Sequence, residues 1–350
     1  MTHLWVRAES RENEERVGVL PEGVAALLAD GIEVTVEDSP TRVIPTAEYE
    51  KAGATIVPEG SWIDAPEDAI IFGLKELPDN GIALRHRHIM FGHAYKGQPA
   101  GQRLLARFKA GGGVLYDLEY LENVDGRRVA AFGYWAGYAG AAVSILAYAA
   151  QLAGAPCPSV CTWPSSEAMR DDVKTALAGA TPNAMVIGAL GRVGTGASDL
   201  CEEVGLPVTK WDMAETAHGG PFPEVLDHTL FFNCILARPG TPVFVPSDTC
   251  DRSRSLRVIG DIACDPDSDF SPIKVYDRVT SWDAPVLRVC DTPPLDVMAI
   301  DNLPSLMPRE SSEDFAGQLL AHLKTLAEID QGVWGRAKTY FDTHIQKVKA

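Results

Sequence analysis

Short apolar runs alternate with helix-like segments along this chain of 350 residues, and no other feature restricts its fold as strongly. A helix-like segment at residues 21–30, for example, ends at Gly31 and separates two such runs. This alternation is typical of a parallel sheet with helices on its faces. The strands that it predicts in the first 130 residues are 4–6, 33–36, 54–57, 69–73, 89–92 and 114–116.

A long uncharged stretch follows this first series. Residues 129–166 contain no charged side chain, and residues 132–152 alone are long enough to cross a bilayer. However, the stretch is rich in Ala and Gly, and Gly133, Gly137 and Ala141 recur every four residues. Such spacing favours a buried helix that packs closely against a neighbour. We therefore predict a helix connecting two domains rather than a membrane span.

The alternation then restarts, which predicts a second domain. Its predicted strands are 184–188, 208–211, 230–234, 256–262 and 297–300. The tail, residues 312–349, is predicted to form one or two amphipathic helices that fold back on the first domain. The sequence thus predicts an α/β protein of two Rossmann-like, doubly wound domains with an active-site cleft between them. One domain comprises residues 1–130 and about 320–350, and the other comprises 131–319.

Charge and cysteine usage restrict the possible partners and compartment. The chain has 48 acidic and 31 basic residues, a net charge of -17, so it repels nucleic-acid phosphates and anionic lipid. We expect neither nucleic acid nor membrane as a partner. The seven cysteines are odd in number and lack zinc-finger spacing, apart from the loose pair Cys157 and Cys161, which is typical of a reducing compartment. The start of the chain lacks the pattern of a secretory signal, so we expect a cytoplasmic protein.

A glycine-rich segment follows the first strand of the second domain. Gly188, Gly191 and Gly194 lie between that strand and a predicted helix at 197–204. Glycines at such a turn let the backbone approach a pyrophosphate at the helix N-terminus. The spacing G-x-x-G-x-x-G departs from the usual G-x-G-x-x-G, so a tight turn without a ligand is the alternative. Asp212 ends the next strand, where an acid binds ribose hydroxyls and favours NAD over NADP, unless it is only a surface turn residue.

Three successive strands of the first domain lead into polar residues, namely Lys75, His93 and Glu119. The carboxyl ends of parallel strands share one edge of a sheet, so we expect these side chains to lie close together. A lysine with its pKa lowered by burial or by neighbouring cations can exchange protons with a histidine and a carboxylate. Oxidation of an amine needs such groups. The loop after the first strand adds Arg11, Glu14 and Arg16.

Simpler interpretations remain open for several of these residues. Lys75 could be a solvated strand end paired with Glu76. His86 and His88 could form a metal cluster with His93, but their spacing is weak evidence, and a surface role for both is favoured. Arg127 and Arg128 are a solvated turn or, alternatively, part of a clamp for substrate carboxylates.

A series of short motifs in this chain resembles, in order and spacing, the fungal-type saccharopine dehydrogenases that form lysine. The resemblance covers nearly the whole chain. The motifs are DSP at 38–40, GSW at 60–62, GLKE at 73–76, HAYK at 93–96, YDLE at 116–119, LEN at 121–123, GRRVAAFG at 126–133, GALG at 188–191, KWD at 210–212, GGPF at 219–222 and DNLPSLMPRE at 301–310.

The resemblance implies a two-domain enzyme akin to alanine dehydrogenase and transhydrogenase. It would oxidise saccharopine with NAD and water to L-lysine, 2-oxoglutarate and NADH, or run the reverse reaction. Lys75 would be the base that deprotonates the secondary amine, and His93 would handle protons as the carbinolamine forms and collapses. Roles at the substrate are implied for Arg11, Glu14, Arg16, Lys96, Glu119 and Arg128, with Arg16 and Arg128 on the carboxylates.

The first domain would accordingly carry substrate and catalysis, and the second would bind NAD. The residues expected at the nucleotide are Gly188, Leu190, Gly191, Arg192, Val193, Gly194, Asp212, Thr216, Cys234, Ile235 and Asp301. Asp301 matches an acid that lines the cleft. We expect a monomer or a small homo-oligomer.

Two positions depart from the fungal pattern. Arg11 replaces a lysine, and since arginine does not lose its proton at working pH, the pH profile should differ. Val193 replaces a cysteine opposite Cys234, so no disulfide can form across the nucleotide site. The competing hypotheses are a related enzyme of the alanine dehydrogenase type acting on another amino acid, and a nucleotide-binding protein that has lost its chemistry.

Overall fold

The computed structural model describes residues 1–266 and 268–348, and the chain divides into two compact units. The first unit is Met1–Ala131 together with the chain from Ser311 on, and the second is Phe132–Glu310. The strands are β1 His3–Val6, β2 Glu33–Glu37, β3 Thr55–Val57, β4 Ile70–Phe72, β5 Arg87–Met90, β6 Val114–Asp117, β7 Ala184–Ile187, β8 Val208–Trp211, β9 Leu230–Asn233, β10 Val258–Asp261, β11 Val286–Asp291 and β12 Pro294–Met298. The α-helices are α1 Pro21–Ala29, α2 Thr46–Lys51, α3 Pro99–Gly111, α4 Gly133–Leu152, α5 Ser166–Leu177, α6 Arg192–Glu203, α7 Met213–Thr216, α8 Pro223–Asp227, α9 Pro308–Leu323 and α10 Gly332–Ile345.

The first unit contains a six-stranded sheet in the order β3-β2-β1-β4-β5-β6, in which every pairing is parallel. This is the order of a doubly wound dinucleotide-binding fold. All six predicted strands are present, with ends shifted by at most two residues. Helix α3 begins with Pro99 and ends at Gly111, because the next residue, Gly112, has a φ of 75°, the left-handed conformation that stops a helix. The chain beyond Ser311 adds most of α9 and all of α10, including the buried Trp334.

The second unit contains a sheet in the order β11-β12-β10-β9-β7-β8. Its pairings are parallel except for β11 with β12, which is antiparallel. The five predicted strands are present, whereas β11 was not predicted. It is an edge strand whose side chains are mostly only half-buried, with an irregular register between Arg288 and Cys290, so it lacks the apolar run of a central strand.

The two faces of the second sheet are both buried, and alternate residues of β7 reach different cores. Ala184 and Val186 pack on one face with Phe232. Met185 and Ile187 pack on the other face. Burial on both sides explains why the central strand β7 is continuously apolar.

Helices α4 and α6 meet at their glycines. A Cβ on Gly137 would lie 1.8 Å from the carbonyl oxygen of Val193, and one on Gly196 would lie 1.9 Å from that of Tyr134. Only glycine permits two helix backbones to approach so closely. The uncharged stretch is therefore the opening helix of the second unit, and no helix among the described residues is long and apolar enough to cross a membrane.

Three expectations from the sequence are corrected by the structure. Helix α6 begins at Arg192 instead of residue 197, so Gly194 and Gly196 lie within the helix and the turn itself is shorter. His86 and His88 are each only 1% exposed and have no surface role. Cys250 and Cys290 form a disulfide, with Cα atoms 5.7 Å apart, whereas the cysteine pattern suggested only the thiols of a reducing compartment.

The burial of His88 follows from the first sheet being covered on both faces. Its ring lies edge-on between Trp62 and Phe108, with centroids 5.3 and 5.4 Å away. Burial lowers the pKa of His88 well below its usual value, so this ring is neutral. His86 contacts the carbonyl oxygen of Ala65 at 3.1 Å. Both side chains contribute to the packing of the first unit.

Candidate active site

The parallel strands β4, β5 and β6 bring their carboxyl ends to one edge of the first sheet. Phe72 pairs with Ile89, and Met90 pairs with Asp117. The loops that follow these strands carry Lys75, His93 and Glu119. The structure thus places at one sheet edge the three residues that the sequence singled out.

Lys75 lies among charged groups in a partly buried position. Burial and the positive charges of Arg16 and Arg11 lower the pKa of Lys75, while Glu14 and Glu76 oppose this effect. A lysine with a lowered pKa is more readily available as a neutral amine. Lys75 is therefore better suited to accept a proton than a lysine with its usual pKa.

The backbone of Lys75 is held by a carboxylate that the sequence analysis did not identify. Glu9 accepts hydrogen bonds from the amides of Leu74 at 2.6 Å and Lys75 at 3.0 Å. Arg7, which is paired with Glu9, donates to the Lys75 carbonyl oxygen. A Cβ on Gly73 would lie 2.4 Å from the Arg7 guanidinium, so any larger residue here would displace the Arg7 side chain that binds this backbone. The signal available in the sequence was a pair of opposite charges directly after the buried strand β1.

His93 is paired with Glu76, a second residue whose role was missed. The Nδ1 atom of His93 bonds to Oε1 of Glu76. Although burial raises the pKa of Glu76, the hydrogen bond and charge of His93 lower it to about 2, so Glu76 is ionised at neutral pH. Among the described residues, Glu76 makes this bond instead of an ion pair with Lys75, which removes the simplest alternative for Lys75. A carboxylate on Nδ1 orients the imidazole and leaves Nε2 for the substrate.

Glu119 contacts Lys96 and Arg128, two of the other predicted substrate residues. Its Oε1 atom accepts a hydrogen bond from Lys96 at 3.1 Å and lies 3.5 Å from a guanidinium nitrogen of Arg128. Arg128 also donates to the Glu119 carbonyl oxygen at 3.1 Å. The side chains of Lys96 and Arg128 are 58% and 38% exposed, so both cations can still meet an anionic ligand.

Glu14 and Arg16 form a buried pair. Arg16 donates to the two carboxylate oxygens of Glu14 at 2.8 and 2.6 Å, and the residues are 4% and 3% exposed. Although burial opposes ionisation of Glu14, Arg16 holds its pKa below the usual value. Arg11 lies in the same loop and is exposed. The pair acts electrostatically on Lys75 from a fixed position.

The glycine turn of the second unit is shaped by backbone contacts. Gly188 has a φ of 90°, and a Cβ on it would lie 2.9 Å from the Cys234 carbonyl group. A Cβ on Gly194 would lie 2.1 Å from the Gly188 oxygen. The turn therefore closes tightly onto the N-terminus of α6, where a helix offers amide groups to a pyrophosphate. These residues fit a dinucleotide.

Asp212 lies at the end of β8 and contacts the same turn. Its Oδ2 atom accepts from the Leu190 amide at 3.0 Å, and Oδ1 accepts from the Met213 amide at 2.8 Å. Thr216 donates to the Asp212 carbonyl oxygen. Most of the predicted nucleotide residues therefore lie on or beside the turn. Asp301 follows β12, which β10 and β9 separate from β7, so it lies away from the turn.

Comparisons with known proteins agree with this geometry. The family described as "Alanine dehydrogenase/PNT, N-terminal domain" matches residues 5–139. The fold is similar to that of an L-alanine dehydrogenase, at a TM-score of 0.68 and 19% identity, covering 99% of this chain and 94% of the other. It is also similar to a transhydrogenase from Sinorhizobium meliloti, at a TM-score of 0.63 and 17% identity, covering 94% and 95%. The predicted fold class of two Rossmann-like domains is confirmed.

Fungal relatives extend over the whole chain. The saccharopine dehydrogenase [NAD(+), L-lysine-forming] of Neurospora crassa is 45% identical over 98% of this chain and 96% of its own length. The enzyme of the same name from Schizosaccharomyces pombe is 43% identical over 99% of each, and that from Yarrowia lipolytica is 44% identical over 99% and 98%. At this identity over nearly its full length, the chain belongs to the family of NAD(+)-dependent, L-lysine-forming saccharopine dehydrogenases.

Proposed function

We propose that this chain catalyses the NAD-dependent oxidative cleavage of saccharopine to L-lysine and 2-oxoglutarate, and the reverse condensation. The observation that carries the proposal is the edge of the first sheet. There Lys75, with its lowered pKa, lies one residue from Glu76, which holds His93. Cleavage of a secondary amine needs a base and a proton carrier, and membership of the family agrees with this chemistry.

Lys75 begins the reaction by taking the proton of the secondary amine. The bound NAD would supply the acceptor for the hydride of the adjacent carbon of saccharopine. The resulting imine adds water, and His93 takes a proton from that water as the carbinolamine forms. His93 returns that proton to the nitrogen, and Lys75 returns the proton that it took from the amine. The carbinolamine hydroxyl then gives its own proton to His93 as the C–N bond breaks, so that lysine leaves and the carbonyl of 2-oxoglutarate forms. Glu76 keeps the imidazole oriented through these transfers.

The cations near this edge would hold the carboxylates of the substrate. A chain with a net charge of -17 repels an anionic substrate unless cations are concentrated locally. We assign Arg16 and Arg128 to the substrate carboxylates, because a guanidinium can bind a carboxylate with two parallel hydrogen bonds. Arg128 is partly exposed, whereas Arg16 would have to exchange the Glu14 carboxylate for that of the substrate. Arg11, Lys96 and Glu119 would complete the substrate site, and Glu14 would face the lysine part.

The second unit would bind NAD through the turn of Gly188, Leu190 and Gly191 and through the first helical residues Arg192, Val193 and Gly194. Asp212 would bind the ribose and disfavour a 2′-phosphate, so NAD is preferred over NADP. Thr216, Cys234 and Ile235 would line the same site, and Asp301 would contact the cofactor from its own loop. The first unit accordingly carries substrate and catalysis.

We further propose that the protein acts in the cytoplasm as a monomer or small homo-oligomer, without nucleic acid as a partner. The strong negative charge supports the last point. The Cys250–Cys290 disulfide does not by itself assign another compartment, because the described cysteines 157, 161, 201, 234 and 264 are free.

The direct test supplies saccharopine and NAD to the purified protein. We expect NADH to form, and mass spectrometry should find lysine and 2-oxoglutarate in equal amounts. Alanine should give no comparable rate. Reduction of NAD by alanine without reduction by saccharopine would identify an alanine dehydrogenase instead.

A further inference from the structure

Asp117 ends strand β6, two residues before Glu119, and its side chain is fully buried. Its Oδ1 atom accepts a hydrogen bond from the Glu119 amide at 2.9 Å and so caps the short 3-10 turn Leu118–Tyr120. The other oxygen, Oδ2, lies 3.2 Å from the position that a Cβ on Gly92 would occupy. One carboxylate therefore bonds to the turn of Glu119 and packs against Gly92, the residue before His93, through an oxygen that has no hydrogen-bond partner within the described part of the chain.

The turn that carries His93 needs such support. His93 has a φ of 46°, a left-handed conformation that side-chain-bearing residues adopt at a cost. Its carbonyl oxygen lies against α3, since a Cβ on Gly101 would be 2.9 Å from it. Its ring stacks on Phe91 with centroids 6.3 Å apart and planes inclined by 23°. The backbone is thus fixed between α3 on one side and Asp117 on the other.

We propose that Asp117 is a positioning residue for the reaction, which sets the two turns that present His93 and Glu119 to the substrate. The inference rests on the proposed function of this site. Neither oxygen of Asp117 need touch the substrate. The residue acts by holding two backbones at a fixed separation, so that the imidazole and the Lys96–Glu119–Arg128 cluster reach the same ligand.

Burial of the Asp117 carboxylate makes the stability of the fold depend on pH. Burial raises the pKa of Asp117 to about 6, against smaller opposing effects of the Glu119 amide, His93 and the Gly92 amide. The titratable groups around it are His93, Glu119, Tyr95 and Tyr120. Because the pKa rises from 3.8 in the unfolded chain to about 6 in the fold, stability is lost as the pH rises from 3.8 to about 6, and it stays at the lower level above that pH.

The test compares Asp117→Asn and Asp117→Ala with Asp125→Asn, an exposed carboxylate nearby. The asparagine keeps an acceptor for the Glu119 amide but presents N–H groups towards Gly92, so kcat should fall about 10-fold. The alanine removes both contacts and should lower kcat by about 10²-fold. In both variants the KM for NADH should stay within about 2-fold of the parent value, as expected if uniform binding is unchanged. At pH 8 the asparagine variant should unfold at a temperature no lower than the parent, because a buried charge has been removed.

Gly92→Ala disturbs the contact between Asp117 and Gly92 without altering a titratable group. Its Cβ would press on Leu115 and on Asp117, so it should also lower kcat while sparing the KM for NADH. The inference is overturned if Asp117→Ala keeps kcat within about 2-fold, if lost activity follows only the lost folded fraction, or if neither Asp117→Asn nor Gly92→Ala folds. Absence of lysine-dependent activity in the parent protein would instead refute the proposed function.

Discussion

The candidate sites at the strand ends differ between the two units: the first is made of side chains and the second mainly of backbone. In the first unit, β4, β5 and β6 lead to charged side chains, and other side chains hold them: Glu9 binds the backbone of Lys75, and Glu76 binds His93. In the second unit, β7 leads to a turn of glycines, where the backbone itself closes onto α6. Proton transfer requires particular side chains with altered pKa values, whereas binding of a pyrophosphate requires only accessible amides. We therefore expect the first unit to determine turnover and the second to determine nucleotide affinity.

Loss of the base should give the largest effect. Lys75→Met should lower kcat by roughly 10²–10⁴-fold, because a general base is lost, with NADH affinity little changed. Steady-state rates and NADH fluorescence titration measure the two quantities. Lys51→Met, at the exposed end of α2, is the matched control. A variant that lost NADH affinity in proportion to its turnover would show that the two units are not divided in this way.

A change at Gly194 should have the opposite effect to Lys75→Met, because it should lower nucleotide affinity and leave turnover largely intact. Replacement of Gly194 by alanine places a Cβ 2.1 Å from the Gly188 oxygen and should weaken NADH binding by about 10- to 10²-fold. Saturating NADH should restore most of the turnover. Gly317→Ala, where a Cβ meets nothing within 4 Å, should leave both quantities unchanged. If Gly194→Ala lowered only kcat, the glycine turn would not be the nucleotide site.

A smaller effect is expected at Asp212. Asp212→Ala removes a carboxylate from the turn and should weaken the binding of NAD by about 10-fold. It should also reduce the preference for NAD over NADP. The ratio of kcat/KM for the two cofactors measures this preference. Asp227→Ala, on the exposed end of α8, is the control. An unchanged ratio would mean that Asp212 serves only to cap the turn through the Leu190 and Met213 amides.

The smallest effects concern the pH profile, and their directions are opposite. Arg11 lowers the pKa of Lys75 and Glu76 raises it. Because saccharopine oxidation needs the neutral amine, Arg11→Met should move the acidic limb of the rate profile to higher pH. Glu76→Gln should move it to lower pH. Profiles of kcat/KM for saccharopine between pH 5 and pH 11 would check this, and shifts in the same direction would contradict the assignment of Lys75 as the base.

Most of the sheet architecture could be predicted from the sequence, because strands buried on both faces are continuously apolar and are separated by clear turn signals. The edge strand β11 could not, since its half-buried side chains lack that pattern. The same limit applies to the start of α6, where Gly194 and Gly196 indicate a loop although the close packing of α4 requires glycines within the helix.

The residues of the candidate site were predictable where they follow a strand, as Lys75, His93 and Glu119 do. Their partners were not. The bond from His93 to Glu76, the contact of Glu9 with the Lys75 backbone and the position of Asp117 between two turns depend on side chains that are distant in sequence or differently oriented than spacing suggests. Burial of His88 and pairing of Cys250 with Cys290 across 40 residues are further consequences of tertiary packing.

The most direct test of the division between the units is NADH oxidation by the parent protein and by Lys75→Met, first with lysine and 2-oxoglutarate and then with pyruvate and ammonia. We predict rapid oxidation by the parent with the first pair only, and almost none by the variant despite normal NADH binding. Oxidation with pyruvate and ammonia alone, or an unaffected Lys75→Met variant, would contradict the account.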